Sequence, residues 1–202
     1  GVQYDMHFPL ELDFVLRGRW RREYGGWGAE VRAGQVSFCG MWERHGVASV
    51  NGEDCDVFVL MIWPALVANL YCPEAPDFNW LAPFTVPARA RPQVPESERG
   101  RFLELGRRFV AACREPPSVR MIWFRLLLME ALLDIARFWR PPRPLTPARS
   151  SFAQLNPAID AVLRSGSLIS TQTAARSCGM NRMQFSRSFQ ATMGLSFADF
   201  SR

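Results

Sequence analysis

Over the first sixty or so residues, apolar and polar side chains alternate with a period of two, the pattern of strands with one buried face. Residues 10–16 (LELDFVL) alternate until Arg17-Gly18 interrupts them. Residues 20–24 resume the alternation, and Gly25-Gly26-Trp27-Gly28 supplies a turn. Segments 35–38, 47–50 and 57–63 extend the series, and Asn51-Gly52 predicts a hairpin turn because both residue types tolerate positive φ. Short strands at such close spacing predict an antiparallel sandwich or barrel.

Prolines punctuate residues 73–95 and predict an irregular or extended stretch. The period then changes to that of a helix. Ser97 opens one, with Phe102, Leu105, Phe109, Val110 and Cys113 on its apolar side, and it ends before Pro116-Pro117. Ser118 is placed to cap a second, longer helix through Trp139, giving an antiparallel helical hairpin. The apolar stretch 121–139 is broken by Arg125, Glu130, Asp134 and Arg137, which reads as the polar face of a helix rather than as a membrane span. Its stripe of Trp123, Leu127, Leu128, Ala131, Leu132 and Ile135 is broadened by Ile122, Met129 and Phe138. That width predicts a homodimer interface, with burial against the strand domain as the competing explanation. Four prolines and no apolar period make residues 141–152 a linker.

Beyond it three short helices are expected. Asn156-Pro157 starts the first, with Ile159, Val162 and Leu163 buried and a stop at Ser165-Gly166. Ser170 or Thr171 caps the second, which carries Ala174, Ala175 and Cys178; Gly179 turns the chain, and Asn181 caps the third, with Phe185 and Phe189 inward. Paired small residues let two helices cross closely, as a helix-turn-helix requires. Arg182, Met183, Ser186, Arg187 and Gln190 then face outward. Arg187 is suited to a guanine edge and Arg182 to a phosphate. Any three-helix bundle has outward residues, so the pattern alone leaves DNA contact and docking of a protein partner both open.

Composition narrows the choice. A 48% hydrophobic content supports a proper core. The first residues lack the basic and apolar regions of a secretory signal, which predicts a cytoplasmic protein with no membrane segment. Five scattered cysteines, with no Cys-x-x-Cys pair, argue against a disulfide framework or zinc knuckle and read as small buried hydrophobes. Charge is uneven: residues 1–75 hold six arginines against ten carboxylates, a net of −4, whereas 76–149 carry +6 and 150–202 carry +3. The rear of the chain is the part able to approach phosphate. With two histidines, no Gly-rich phosphate loop and no Ser/His/Asp set, acid-base enzymology has little material, and neither catalysis nor a cofactor is expected.

The run Ala174-Ala175-Arg176-Ser177-Cys178-Gly179-Met180-Asn181-Arg182-Met183-Gln184-Phe185-Ser186-Arg187-Ser188-Phe189, followed by Met193-Gly194-Leu195-Ser196-Phe197-Ala198-Asp199-Phe200, resembles the AraC/XylS family of transcription regulators. The small-small-x-x-x-Gly helix, the Phe-Ser-Arg-x-Phe helix and the trailing Gly-Leu-Ser-Phe fall in the family's order and spacing. The resemblance implies an α+β chain. In it, a cupin-like β-barrel (a double-stranded β-helix) over 1–95 senses a small-molecule effector, and a dimerising helical hairpin spans 96–140. A linker covers 141–152, and an all-α helix-turn-helix segment for double-stranded DNA occupies 153–202. Base-facing positions fall on Met183, Ser186 and Arg187. The family's DNA-binding domain is about twice this long, so the resemblance also implies a connecting helix and second unit after Arg202, and weak or no DNA binding by these residues alone.

Within the strand region, Trp20, Trp27, Phe38, Trp42, Phe58 and Trp63 offer enough aromatic surface to line an effector pocket, and Arg17 or Arg19 is available for a carboxylate. The nominated ligand set is Arg17, Trp20, Phe38, Trp42 and His45. His7-x-x-x-Glu11 with Gly18, and Gly34 with His45 eleven residues on, resemble the two cupin motifs. Asp5 stands where the first histidine is usual, and Gly40 and Trp42 replace the usual proline and glycine. Asp5, His7, Glu11 and His45 could together hold a metal, so the alternative is a metal-dependent cupin enzyme fused to a helical module.

Overall fold

The computed structural model describes residues 1–68, 70, 75, 78–142, 154–155, 157–162, 168–193 and 196–201. These group into two compact units. One comprises Gly1–Ile62 with Pro83–Arg143, the other Trp63–Ala82 with Pro144–Arg202.

In the first unit the chain is mixed sheet and helix, and its strands form two antiparallel sheets. β1 (Gln3–Asp5), β6 (His45–Ser49), β3 (Arg19–Tyr24) and β4 (Trp27–Arg32) make one, in that order. β5 (Val36–Cys39), β2 (Leu10–Arg17) and β7 (Asp56–Ile62) make the other. The strands pair as two separate ladders among the described residues, not as one closed barrel. β1 and β4 lie outside the predicted set, β4 because its first residues read as part of the Gly25–Gly28 turn.

Asn51-Gly52 adopts the backbone that its residues predict, with φ of +54 and +73. Even so, the strands on either side of it, β6 and β7, belong to different sheets, so the turn joins sheets instead of closing a hairpin. The two-residue hairpin is β3–β4, where Tyr24 pairs with Trp27 across Gly25-Gly26.

β2 is buried on both faces. Its even residues meet helix α3 (Arg99–Ala112): the Phe14 ring lies 5.1 Å from Phe109, which stacks on Phe58 of β7 at 5.3 Å. Gly106 permits this approach, since a Cβ there would fall 2.5 Å from Leu16 Cδ2 and 3.0 Å from Phe14 Cβ. The odd residues of β2, Glu11 and Asp13, are also buried, so the alternation marks two buried faces, one apolar and one charged.

A 3-10 turn at Glu96–Glu98 leads into α3. Helix α4 (Pro117–Phe138) begins one residue before the expected Ser118 cap, because Pro117 occupies its first turn, where a missing N–H costs nothing. It buries Leu127, Leu128, Ala131, Leu132 and Ile135. Asp134 and Glu130 do not form an outward polar face: Asp134 pairs with Arg101 and Glu130 with Arg108 (2.9 Å), tying α4 to α3. Arg125 and Arg137 are exposed, as the sequence predicts, and Met121, Ile122, Leu126 and Leu133 are exposed alongside them.

The stretch 86–95 is irregular, with a single 3-10 turn at Ala88–Ala90, and buried Arg91 straps it down. Arg91 Nη1 donates to Phe38 O (2.6 Å), and Nη2 meets Glu43 Oε2 (2.7 Å). Of the described cysteines only Cys39 is buried; Cys55 and Cys178 are half-buried and Cys113 is exposed, which corrects the expectation of uniformly buried thiols. Cys72 and most of the 141–152 linker lie outside the described residues. No described helix is long and apolar enough to cross a membrane.

The second unit contains α1 (Pro64–Ala68), helical backbone at 154–155 and over 157–162 (α5), and then α6 (Thr171–Ser177), α7 (Arg182–Met193) and α8 (Phe197–Phe200). The first of the three expected helices is thus already under way before Asn156. Leu163 and Ser165-Gly166 lie outside the described residues. α2 (Ala82–Thr85) spans the sequence boundary between the units.

Candidate functional site

Two groups of residues bear on function, one in each unit. In the second unit the short helices are set by their ends. Ser170 is the cap of α6, its Oγ accepting from Thr173 N at 3.1 Å. At the other end Gly179 sits at φ +65, Gly179 N donates to Arg176 O and Met180 N to Ala175 O, the pair of bonds that closes a helix through a left-handed glycine. Asn181 then opens α7: its side-chain oxygen accepts from Gln184 N (2.9 Å) while Gln184 Oε1 accepts from Asn181 N (3.2 Å). The turn between α6 and α7 is therefore fixed at both sides.

Behind it Ala174, Ala175, Phe185, Phe189 and Phe197 are buried. The Phe185, Phe189 and Phe197 rings meet one another with centroids between 5.1 and 5.5 Å apart. Arg182, Met183, Ser186, Arg187 and Gln190 are all exposed, and at 3.6 residues per turn they share an arc of about 140° on α7. Arg176, at the end of α6, is exposed as well, although sequence reasoning did not single it out. Among the described residues no carboxylate pairs with Arg176, Arg182 or Arg187, so their charge is available to an outside anion.

In the first unit the nominated ligand residues separate. Arg17 is exposed and paired with Asp56 at 2.7 Å. Phe38 is buried on the apolar face of its sheet, in register with Leu12 and with its ring 5.1 Å from Phe84. Neither faces the charged interior. Trp20 and His45 do, because strict alternation puts Trp20, Arg22 and Tyr24 on one face of β3 and His45 in register with Tyr24. Trp42 lies beside Phe8 (5.9 Å), held by Trp42 N donating to His7 O. The indole Nε1 atoms of Trp20 and Trp42 are buried without a hydrogen-bond partner.

Arg22, missed from sequence, is the centre of this interior. It pairs with Glu11, lies 3.5 Å from Asp13 Oδ2, and donates to Cys39 Sγ. Its Nε and Asp13 Oδ1 have no partner. The signal was present: Arg22 alternates with Trp20 and Tyr24, and Glu11 with Asp13.

Burial would raise the Glu11 carboxyl, but the hydrogen bond from His45 and the Arg22 charge outweigh it and hold Glu11 well below the usual range. Asp13 is pushed up to about 7 by burial, against the pull of Arg22. Burial also pushes the Cys39 thiol and Tyr24 phenol up. His45 is raised: its bonds to Glu11 and the Glu43 carbonyl exceed the cost of burying its charge.

His7 Nε2 lies 3.0 Å, and His45 Nε2 3.5 Å, from Glu11 Oε2. The ligating atoms of these three residues fall within 4.8 Å of one another. Asp5 does not join them; it is exposed and accepts from Met6 N. A cavity of about 20 Å³ lined by Arg22, Tyr24, Trp27, Val36, Arg91 and Gln93 has room for a water, not for an effector.

No family model matches the chain. No curated protein matches it either. Among solved structures it is similar to an apo variant of ToxT from Vibrio cholerae, at 9% identity and a TM-score of 0.47, over 100% of this chain and 92% of that one. It is also similar to the AraC-like transcriptional activator CuxR, at 12% identity and a TM-score of 0.46, over 94% of this chain and 63% of that one. Unsaturated fatty acid bound wild-type ToxT is similar at 12% identity, with a TM-score of 0.30, over 99% of this chain and 93% of that one.

Proposed function

We propose that the chain is part of a ligand-responsive transcription regulator of the AraC/XylS type, acting on double-stranded DNA in the cytoplasm. The observation that carries this reading is the α7 surface. A helix of twelve residues, capped at Asn181 and backed by Phe185 and Phe189, presents Arg182, Met183, Ser186, Arg187 and Gln190 together, with both arginines unpaired. Such a helix fits a major groove, where Arg187 reads a guanine edge with two hydrogen bonds and Arg182 at the helix start holds phosphate. The first unit is the cupin-like sensor, and its unpartnered Trp20 and Trp42 indole N–H groups are donors for an effector's acceptor atoms. The exposed apolar side of α4 is the surface through which two copies pair as a homodimer.

The test is selection from a random duplex pool at low ionic strength. Recovery of a motif whose affinity falls about 10- to 100-fold in Arg187→Ala, with preference lost at one base pair, supports the reading. A pool that stays random, or a motif bound equally by Arg187→Ala, refutes it.

A further inference from the structure

Met183 differs in chemistry from everything around it on the α7 surface. It is 64% exposed, whereas Phe185 and Phe189 on the same helix are buried. Arg182, Ser186, Arg187 and Gln190, which share its arc, are polar and exposed. At about 100° per residue, Arg187 lies opposite the midpoint of Phe185 and Phe189, and Met183 lies about 40° from Arg187, one turn nearer the helix start. Met183 therefore adds nothing to the aromatic core behind the helix. Its backbone is held firmly: it is the second residue of α7, inside the turn closed by the reciprocal Asn181 and Gln184 bonds of 2.9 and 3.2 Å. The result is a thioether, a weak acceptor with no proton to donate, kept in the first turn among groups that favour water.

We propose that Met183 reads the C5-methyl group of a thymine one base pair from the guanine that Arg187 reads. This rests on the assignment of α7 to a major groove and states which sequence the helix prefers there. The residues at the start of a reading helix are the ones that meet base edges. Of the groups those edges present in the major groove, the thymine methyl is the apolar one; the others are donors and acceptors, which a thioether serves poorly. Residues three or four apart on a reading helix meet successive base pairs, and Met183 and Arg187 are four apart, about 6 Å along the helix axis. Covering the methyl removes apolar surface of both partners from water. A cytosine or purine edge in the same place would lose water from a donor or acceptor and gain only sulfur in exchange.

The duplex selected with the 202-residue chain is remade with uracil in place of each thymine in turn, which deletes the methyl and keeps every hydrogen-bonding group. Affinities are then measured at low ionic strength for the unsubstituted chain, Met183→Leu and Met183→Gln. The motif should carry a thymine beside the guanine whose preference Arg187→Ala abolishes. Uracil at that position should weaken binding about 4-fold, the worth of one buried methyl, in the unsubstituted chain and in Met183→Leu, and should change nothing in Met183→Gln. All three proteins should melt together, since the side chain is exposed. Uracil without effect at every position, or an equal loss in Met183→Gln, overturns the proposal. If the guanine preference that depends on Arg187 persists in that case, DNA reading by α7 stands and the thymine contact alone fails; if it is lost too, both fall.

Discussion

Arg22 shows what a single side chain decides in this protein. Its guanidinium serves Glu11, Asp13 and Cys39, with only 3% of its side chain exposed. Replacing it with leucine keeps the bulk but leaves two buried carboxylates facing each other. Arg22→Leu is therefore expected to cost about 3–5 kcal/mol in urea unfolding, the penalty of removing one partner from a buried ion pair. An unchanged midpoint would mean that the interior is wet and the pair is worth little. The sequence shows that Trp20, Arg22 and Tyr24 share a face, and that Glu11 and Asp13 share another. It does not show that these faces meet, because the period of a strand reports which residues lie together and not whether that side is dry. Residue type alone nominates Arg17 and Phe38, and the structure puts one at a strand end and the other on the opposite face.

At the scale of elements, legibility follows the range of the interactions. The α6–turn–α7 unit could be read almost residue by residue, because Ser170, Gly179 and Asn181 act on backbone groups within five positions of themselves. Asn181→Ala should remove about 1 kcal/mol and lower the melting temperature by a few degrees, with the loss confined to the second unit by hydrogen exchange. No change would assign the start of α7 to packing alone. Sheet partition could not be read, because pairing is nonlocal: Asn51-Gly52 is a sound turn signal, yet its two strands leave for different sheets. Helix α4 is a third case. Of its charged residues Arg125 and Arg137 are exposed, as the sequence predicts, whereas Asp134 and Glu130 find Arg101 and Arg108 on α3, and Ile122, Leu126 and Leu133 are exposed beside the arginines. On the reading that this side pairs two copies, sedimentation at tens of micromolar gives a dimer and Leu126→Glu a monomer of unchanged helicity. A monomeric unsubstituted chain would contradict it.

For the whole molecule, charge is uneven along the sequence. The strand-rich front, net −4 over residues 1–75, is unsuited to a phosphate backbone, whereas residues 150–202 carry +3, and among the described residues no carboxylate pairs with Arg176, Arg182 or Arg187. On the sensing reading, Trp20 and Trp42 supply indole donors and apolar surface to an effector. What the second unit does can be measured. Fluorescence anisotropy of a selected duplex against salt concentration, for the unsubstituted chain, Arg182→Ala and Arg187→Ala, tests the central claim most directly. Affinity should fall steeply with salt; Arg182→Ala should reduce the slope of log affinity on log salt by about 0.9 and weaken all duplexes alike, while Arg187→Ala should weaken the selected duplex and spare the rest. Salt-independent binding, or the same slope and preference in all three proteins, would contradict DNA reading by α7.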